Sequence, residues 1–350
     1  MIAPTLAVVL AASACSVIGG DDGASEGKSS GQSSKRVVLV THESFVLPEE
    51  LQKKFEQESG YDLVVRASGD AGVLTNKLVL TKDDPLGDVA FGVDNTFASR
   101  ALDEGVFAPY AATLPTGADE FLLDGDDDQR LTPIDNANVC VNIDDTWFAD
   151  KGVAPPKTLD DLFKPAYRGL FVTPGAATSS PGMAFLLTTV AAYGAKWPDY
   201  WVRLMHNDTK LTDGWSDAYQ VDFTQGGGKG DRPIVLSYDS SPAFTIADDG
   251  TSTTSALLHT CFRQVEYAGV LDGAENPDGA KALVDFLLTP EVQGALPDSM
   301  YVFPVDSSVE LPAEWAKFAK QPTNPFAVDP ADIAEHRDEW LRTWSDVTSR

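Results

Sequence analysis

The sequence predicts an α/β protein of two lobes, on three observations. Strand-like and helix-like segments alternate, the alternation comes in two sets, and long β-rich stretches lie between the sets. The first set opens at "RVVLVTH" (36–42), a short run of β-branched residues. In "LPEELQKKFEQESG" (47–60) Pro48 suits a helix's first turn, Leu51 and Phe55 share a face, and Gly60 is a stop. "YDLVVRAS" (61–68) is the next strand, "AGVLTNKLVL" (71–80) the next helix and "DVAFGV" (88–93) a third strand. "NTFASRALDEG" (95–105) then offers Asn95 as N-cap and Gly105 as terminator. Such alternation implies a mainly parallel sheet covered by helices, with ligands at the carboxyl ends of its strands. Three of those ends are polar: "THES" (41–44), "SGD" (68–70) and "VDN" (93–95).

The second set runs from "NANVCVNID" (136–144) through the strand "GLFVTPG" (169–175). Helices at "SPGMAFLLTTVAAYG" (180–194) and "WPDYWVRLMHN" (197–207) follow, and then the strand "RPIVLSYDS" (232–240). "NVCVN" (138–142) and "CFRQVEY" (261–267) read as strands by which the chain crosses between lobes. Residues 36–137 with about 269–310 then form lobe 1, residues 138–268 form lobe 2, and 311–350 form a C-terminal helical segment packing on both. A length of 350 residues is ample for two lobes, since single cores stop growing near roughly 250–300 residues.

The N-terminus points outside the cytoplasm. "MIAPTLAVVLAASAC" is too short an apolar run to span a bilayer but suits a signal peptide, and "ASAC" resembles a bacterial lipobox with Cys15 as the lipidated residue. Ordinary secretion is the alternative. Residues 16–35 are Gly-, Ser- and Asp-rich and lack aromatics, as a flexible tether would. Cys140 and Cys261 remain; in an exported protein they read as one disulfide, the alternative being two buried free thiols. The formal charge of −27, from 26 basic and 53 acidic residues, argues against nucleic acid or a bare anionic membrane as partner.

No catalytic signature emerges. "GGGKGD" (226–231) lacks the spacing of a phosphate loop, there is no nucleophile elbow, and the four histidines are dispersed, without a metal cluster. Ser179 and Ser180 precede a helix start, where they serve as a cap, an anion site, or both. In "DGWSDAY" (213–219) Trp215 and Tyr219 would share a helical face. The pair reads as a core stripe or as a pocket wall, and Trp215, next to Gly214 at a helix entrance, is the one of the two expected to face a cleft. Tyr238 and Phe244, at a strand end and its turn, are further rings for a cage around a flat or cationic ligand.

Taken in order, "THESF", "GVDN", "TSSPG", "DGWSDAY", "LSYDSSPAF", "RQVEYAGV" and "LPDSMYVFPV" resemble the thiamine-binding components of bacterial ABC importers. These are a branch of the type 2 periplasmic binding proteins that also contains ferric-ion binders. The resemblance covers residues 36–350. It implies a two-lobed fold with mixed sheets flanked by helices and a two-strand hinge. It also implies thiamine, its monophosphate or its diphosphate as ligand, an ABC transporter permease as partner, and a monomer tethered by lipid, with no cofactor. The positions it aligns are Trp215, Tyr238, Phe244 and Tyr301 for the ring cage, Ser179, Ser180 and the Gly182 amide for phosphate, and Asp70, Asp94 and Asn95 as polar contacts. His42, with Ser44 beside it at the same strand end, replaces a stacking tyrosine. A titrating imidazole there would weaken cation binding below about pH 6.5. Rival readings are a receptor for another aromatic or cationic solute, a ferric-ion receptor, and an exported thiamine-processing enzyme. The absence of a Tyr-Tyr pair counts against iron.

Overall fold

A computed structural model describes residues 35–349. The expected signal peptide, Cys15 and the tether as far as residue 34 lie outside them. β1 (Arg36–Thr41) leads to α1 (Glu49–Ser59), which buries Leu51 and Phe55 and ends at Gly60 in the left-handed region. β2 (Asp62–Ala67), α2 (Ala71–Leu80), β3 (Val89–Asp94) and α3 (Ala98–Asp103) follow. Asn95 does not cap α3. Asp94 makes the turn instead, its Oδ1 accepting from the amides of Thr96 (3.0 Å) and Phe97 (3.2 Å). Asn95 stitches the turn to the last long strand, donating to Arg263 O and accepting from Val265 N.

β4 (Thr132–Asp144) is buried along all 13 residues, as a strand covered on both faces must be. α4 (Asp145–Lys151), β5 (Phe171–Pro174), α5 (Ser180–Tyr193), α6 (Trp197–His206), β6 (Lys210–Thr212), β7 (Ile234–Tyr238), β8 (Thr254–Ala256) and β9 (Phe262–Val270) come next. The chain closes with α7 (Pro277–Leu287), α8 (Pro290–Met300), β10 (Phe303–Pro304), α9 (Ala313–Phe318) and α10 (Pro330–Thr348). α5 is apolar on every side and buried from Ser180 to Thr189, which marks a helix inside the body rather than on its surface.

The strands form one mixed sheet in the order β2-β1-β3-β9-β4-β7-β5-β6, with β8 and β10 both on β4. β1, β2 and β3 are parallel, as are β5, β6 and β7. The antiparallel neighbours β4 and β9 join the two groups, so the sheet is continuous from one to the other. Cys140, within β4 just past its last pairing with β9, and Cys261, just before β9, are disulfide-bonded. α10 rests on α6 and α3, with Trp344 edge-on to Trp201 and the Arg337 guanidinium 4.9 Å from the Phe97 ring centre.

Candidate functional site

The carboxyl ends of β1 and β7, the start of α2 and the start of α5 converge on one cleft. It is lined by His42, Ser44, Asp70, Ser180, Trp215, Tyr238, Glu266, Met300 and Val302. The lining holds no lysine or arginine. A larger cavity of about 390 Å³ lies by α9, with Lys317, Lys320 and several hydroxyls on its wall, but it gathers none of the ring cluster. The cleft itself is closed to about 30 Å³, the share of a single water molecule.

Cross-cleft contacts account for that closure. Asp70 ends the loop after β2 and caps α2, its Oδ1 accepting from Ala71 N at 2.6 Å, while its Oδ2 accepts from Trp215 N at 2.9 Å. Ser44 Oγ lies 3.2 Å from Ser216 Oγ, and Gly72 N donates to Thr178 O at 3.0 Å. A ligand of two rings therefore enters only after these contacts part.

The aromatic side is built in layers. Trp215 and Tyr219 stack at 5.1 Å and 12°, with Tyr219 in a wide π-helical turn, Asp217–Asp222. The wider turn carries Tyr219 beneath the indole instead of beside it. Trp215 Nε1 donates to Ser237 Oγ at 2.9 Å, which orients the ring. Tyr238 lies 6.0 Å from it and Tyr301 meets it edge-on at 6.3 Å. Phe244 is not on the wall: it packs 3.8 Å from Tyr301 and edge-on to Trp315, in a satellite core with α9.

The polar side begins at His42. Gly92, at φ +97° in an irregularity of β3, lies flush under the imidazole, and any Cβ there would overlap the ring. His42 Nδ1 accepts from Ser44 N at 3.2 Å, so the proton of the neutral ring is on Nε2, 3.4 Å from Glu266 Oε1. Burial pushes the His42 pKa down to about 4, against the opposing field of Asp70. The expected loss of cation binding near pH 6.5 through His42 is thereby corrected: this ring stays neutral there.

Asp94 sits behind the wall, fully buried. Burial pushes its carboxyl up to about 6 despite hydrogen bonds from Thr96 and the Phe97 amide. Ser179 and Gly182 also lie behind the wall, at the start of α5. The Ser179 hydroxyl is buried with no partner among the described residues, and Gly182 lets the helix approach the backbone of Pro174 and Gly175, where a Cβ would stand 2.7 Å from Pro174 O.

Glu266, Met300 and Val302 escaped sequence reasoning. Glu266 is the informative one, because an acidic residue inside a fully covered strand is itself a signal. Burial raises its pKa well above the ordinary carboxylate value, and so do the nearby Asp135, Asp94 and Asp70. Among the described residues no group of His, Cys, Asp and Glu side chains could hold a metal ion, and no helix is long and apolar enough to cross a membrane.

The chain matches the bacterial extracellular solute-binding protein family over residues 45–294. It is 30% identical over 332 residues to a thiamine-binding periplasmic protein of Brucella melitensis, covering 91% of this chain and 94% of that relative. To the thiamine-binding periplasmic protein of Escherichia coli it is 28% identical, covering 90% and 94%. A solved periplasmic thiamin binding protein superposes with a TM-score of 0.78 at 26% identity, over 90% of this chain and 96% of that one. Ferric binding protein from Campylobacter jejuni shares the fold at a TM-score of 0.69 and 20% identity. With a family match across most of its length and a two-lobed relative superposing end to end, this chain belongs to the bacterial extracellular solute-binding proteins, which bind solutes and are not enzymes.

Proposed function

We propose that this chain captures thiamine or a thiamine phosphate outside the cytoplasm and hands it to the permease of an ABC importer. The observation that carries the reading is the pairing of surfaces across one cleft. Trp215, with Tyr301 edge-on to it, and Tyr238 supply rings on one side, Asp70 and Glu266 supply carboxyls on the other, and the lining holds no cationic side chain. Rings grip planar cations at about 0.5–2 kcal/mol each, and carboxyls with no lysine or arginine beside them favour a positive guest. The names of the relatives agree with such a guest. A phosphate would lie at the start of α5, where Ser180 reaches the cleft at the positive end of a 14-residue helix.

The protein acts as a monomer, Cys15 carries the lipid that holds it at the membrane, and thiamine is cargo, with no cofactor needed. Calorimetric titration with thiamine, its monophosphate and its diphosphate tests the reading. At least one should bind with a submicromolar Kd, about 8–10 kcal/mol, and be recovered chemically intact. The absence of heat with all three would defeat it. Fatty-acid labelling that persists in Cys15→Ser would defeat the anchor.

A further inference from the structure

Beneath the cleft, Asp135 of β4 and Glu266 of β9 stand directly opposite each other in the antiparallel register. They are 0% and 5% exposed, and neither Asp135 carboxyl oxygen has a conventional hydrogen-bond partner. Like charges placed opposite one another across two strands repel, and two buried carboxylates in contact cannot both stay ionised.

No cation relieves them. Among the described residues the only ion-pair contact to either is His42 Nε2, 3.4 Å from Glu266, and the Ser44 amide on Nδ1 keeps that ring neutral. The other groups facing the pair are Asp70 from the cap of α2, Asp94 from β3 and the Tyr238 hydroxyl from β7, which is 3.4 Å from Gln264 Nε2. The guanidiniums of this region point elsewhere, Arg263 over Phe121 and Arg337 over Phe97. Glu266 nevertheless lines the cleft, and the buried His42 Nε2, also without a hydrogen-bond partner, is aimed at the same spot.

We propose that Asp135 and Glu266 hold one proton between them, and that a cationic ligand seated against Glu266 expels it to solvent, so that Glu266 selects a charged ligand over an uncharged one of similar shape. The inference rests on the thiamine reading above for its ligand. Burial raises both carboxyls well above their ordinary values, in keeping with a shared proton. Because binding releases a proton, affinity must rise with pH, by up to about tenfold per pH unit while the free pair is protonated.

The test is calorimetry with thiamine itself, in buffers of low and high ionisation enthalpy from about pH 6 to about pH 8. Wild type should release close to one proton at the lower end. Glu266→Gln should release none and bind thiamine roughly 10–100-fold more weakly, yet keep its affinity for the uncharged hydroxymethyl-aminopyrimidine fragment. Asp135→Asn should bind thiamine at least as well as wild type and release no proton. Infrared spectroscopy at neutral pH should find a protonated-carboxyl band in the free wild type that shifts in both variants and that thiamine binding removes. Equal heats in the two buffers, or no such band, would overturn the proposal. A wild type that gives no heat with thiamine would defeat the functional reading instead, and the infrared band would then decide this one.

Discussion

Replacing Trp215 with alanine separates a pocket wall from a core ring. In the folded protein the indole is 6% exposed, stacked on Tyr219 and hydrogen-bonded through Nε1 to Ser237. Its removal should cost about 3–5 kcal/mol of stability by cavity formation. Ser237 keeps Ser241 as partner at 2.8 Å, so no orphaned hydroxyl adds to that cost. On the ligand side one ring contact and its desolvated face amount to about 2 kcal/mol, equivalent to a Kd raised roughly 30-fold. Trp215→Phe keeps a ring while losing the Nε1 donor, and should weaken binding only severalfold. Denaturant unfolding and calorimetric titration on all three proteins measure both quantities. If Trp215→Ala lost stability as expected while its Kd for thiamine stayed within about twofold of wild type, Trp215 would be interior packing alone and the cage argument would fail.

Stability should fall as pH rises from about 4 to about 7. Asp94 and Asp239 are buried with folded pKa values of about 6, above their usual 3.8. The folded form thus holds protons that the unfolded chain has lost, and about 3 kcal/mol for each disappears as pH rises through that window. His42, lowered to about 4, opposes with a similar amount, since the unfolded chain gains its proton first as pH falls below 6.5. Two carboxyls outweigh one imidazole, and the raised Asp135 and Glu266 add to the same side. Urea midpoints that climb toward neutral pH would contradict this sum. The disulfide joins residues 121 apart in sequence, which corresponds to about 5 kcal/mol of loop-closure entropy. The double variant Cys140→Ala, Cys261→Ala should show a much lower unfolding midpoint, and an unchanged one would refute the estimate. Gly92→Ala should destabilise by roughly 2–4 kcal/mol through its φ of +97° and overlap with His42. A variant as stable as wild type would mean that His42 is not held against β3.

Long elements and the site's perimeter were legible because both rest on local rules. α1, α2 and α5 follow from apolar spacing and their Gly or Pro punctuation, and the polar strand ends after β1, β2 and β3 follow from where alternation stops. β6, β8 and β10 have three residues or fewer, too few to display a period. Asn95 looked like a cap because Asx residues before a helix usually are, but its neighbour Asp94 reached the free amides first. Phe244 looked like a cage member from its turn. What sends it behind Tyr301 is Trp315 from α9, a long-range contact with no local trace. Glu266 was invisible as a site residue for the same reason, since its meaning comes from Asp135 across the strand gap.

The paired strands β4 and β9 also set the mechanics of the molecule. They are hydrogen-bonded from Thr132 opposite Ala268 to Val139 opposite Phe262, with a covalent clasp just beyond. Gape between the halves must come from flexing a two-ply ribbon, which resists like a leaf spring and recoils when released. The compliant place along it is the register irregularity at Pro133–Asp135, where proline gives no amide to the ladder. Hydrogen exchange should accordingly be faster there than from Val139 to Asn142, and uniform protection along β4 would count against a spring bent at that point.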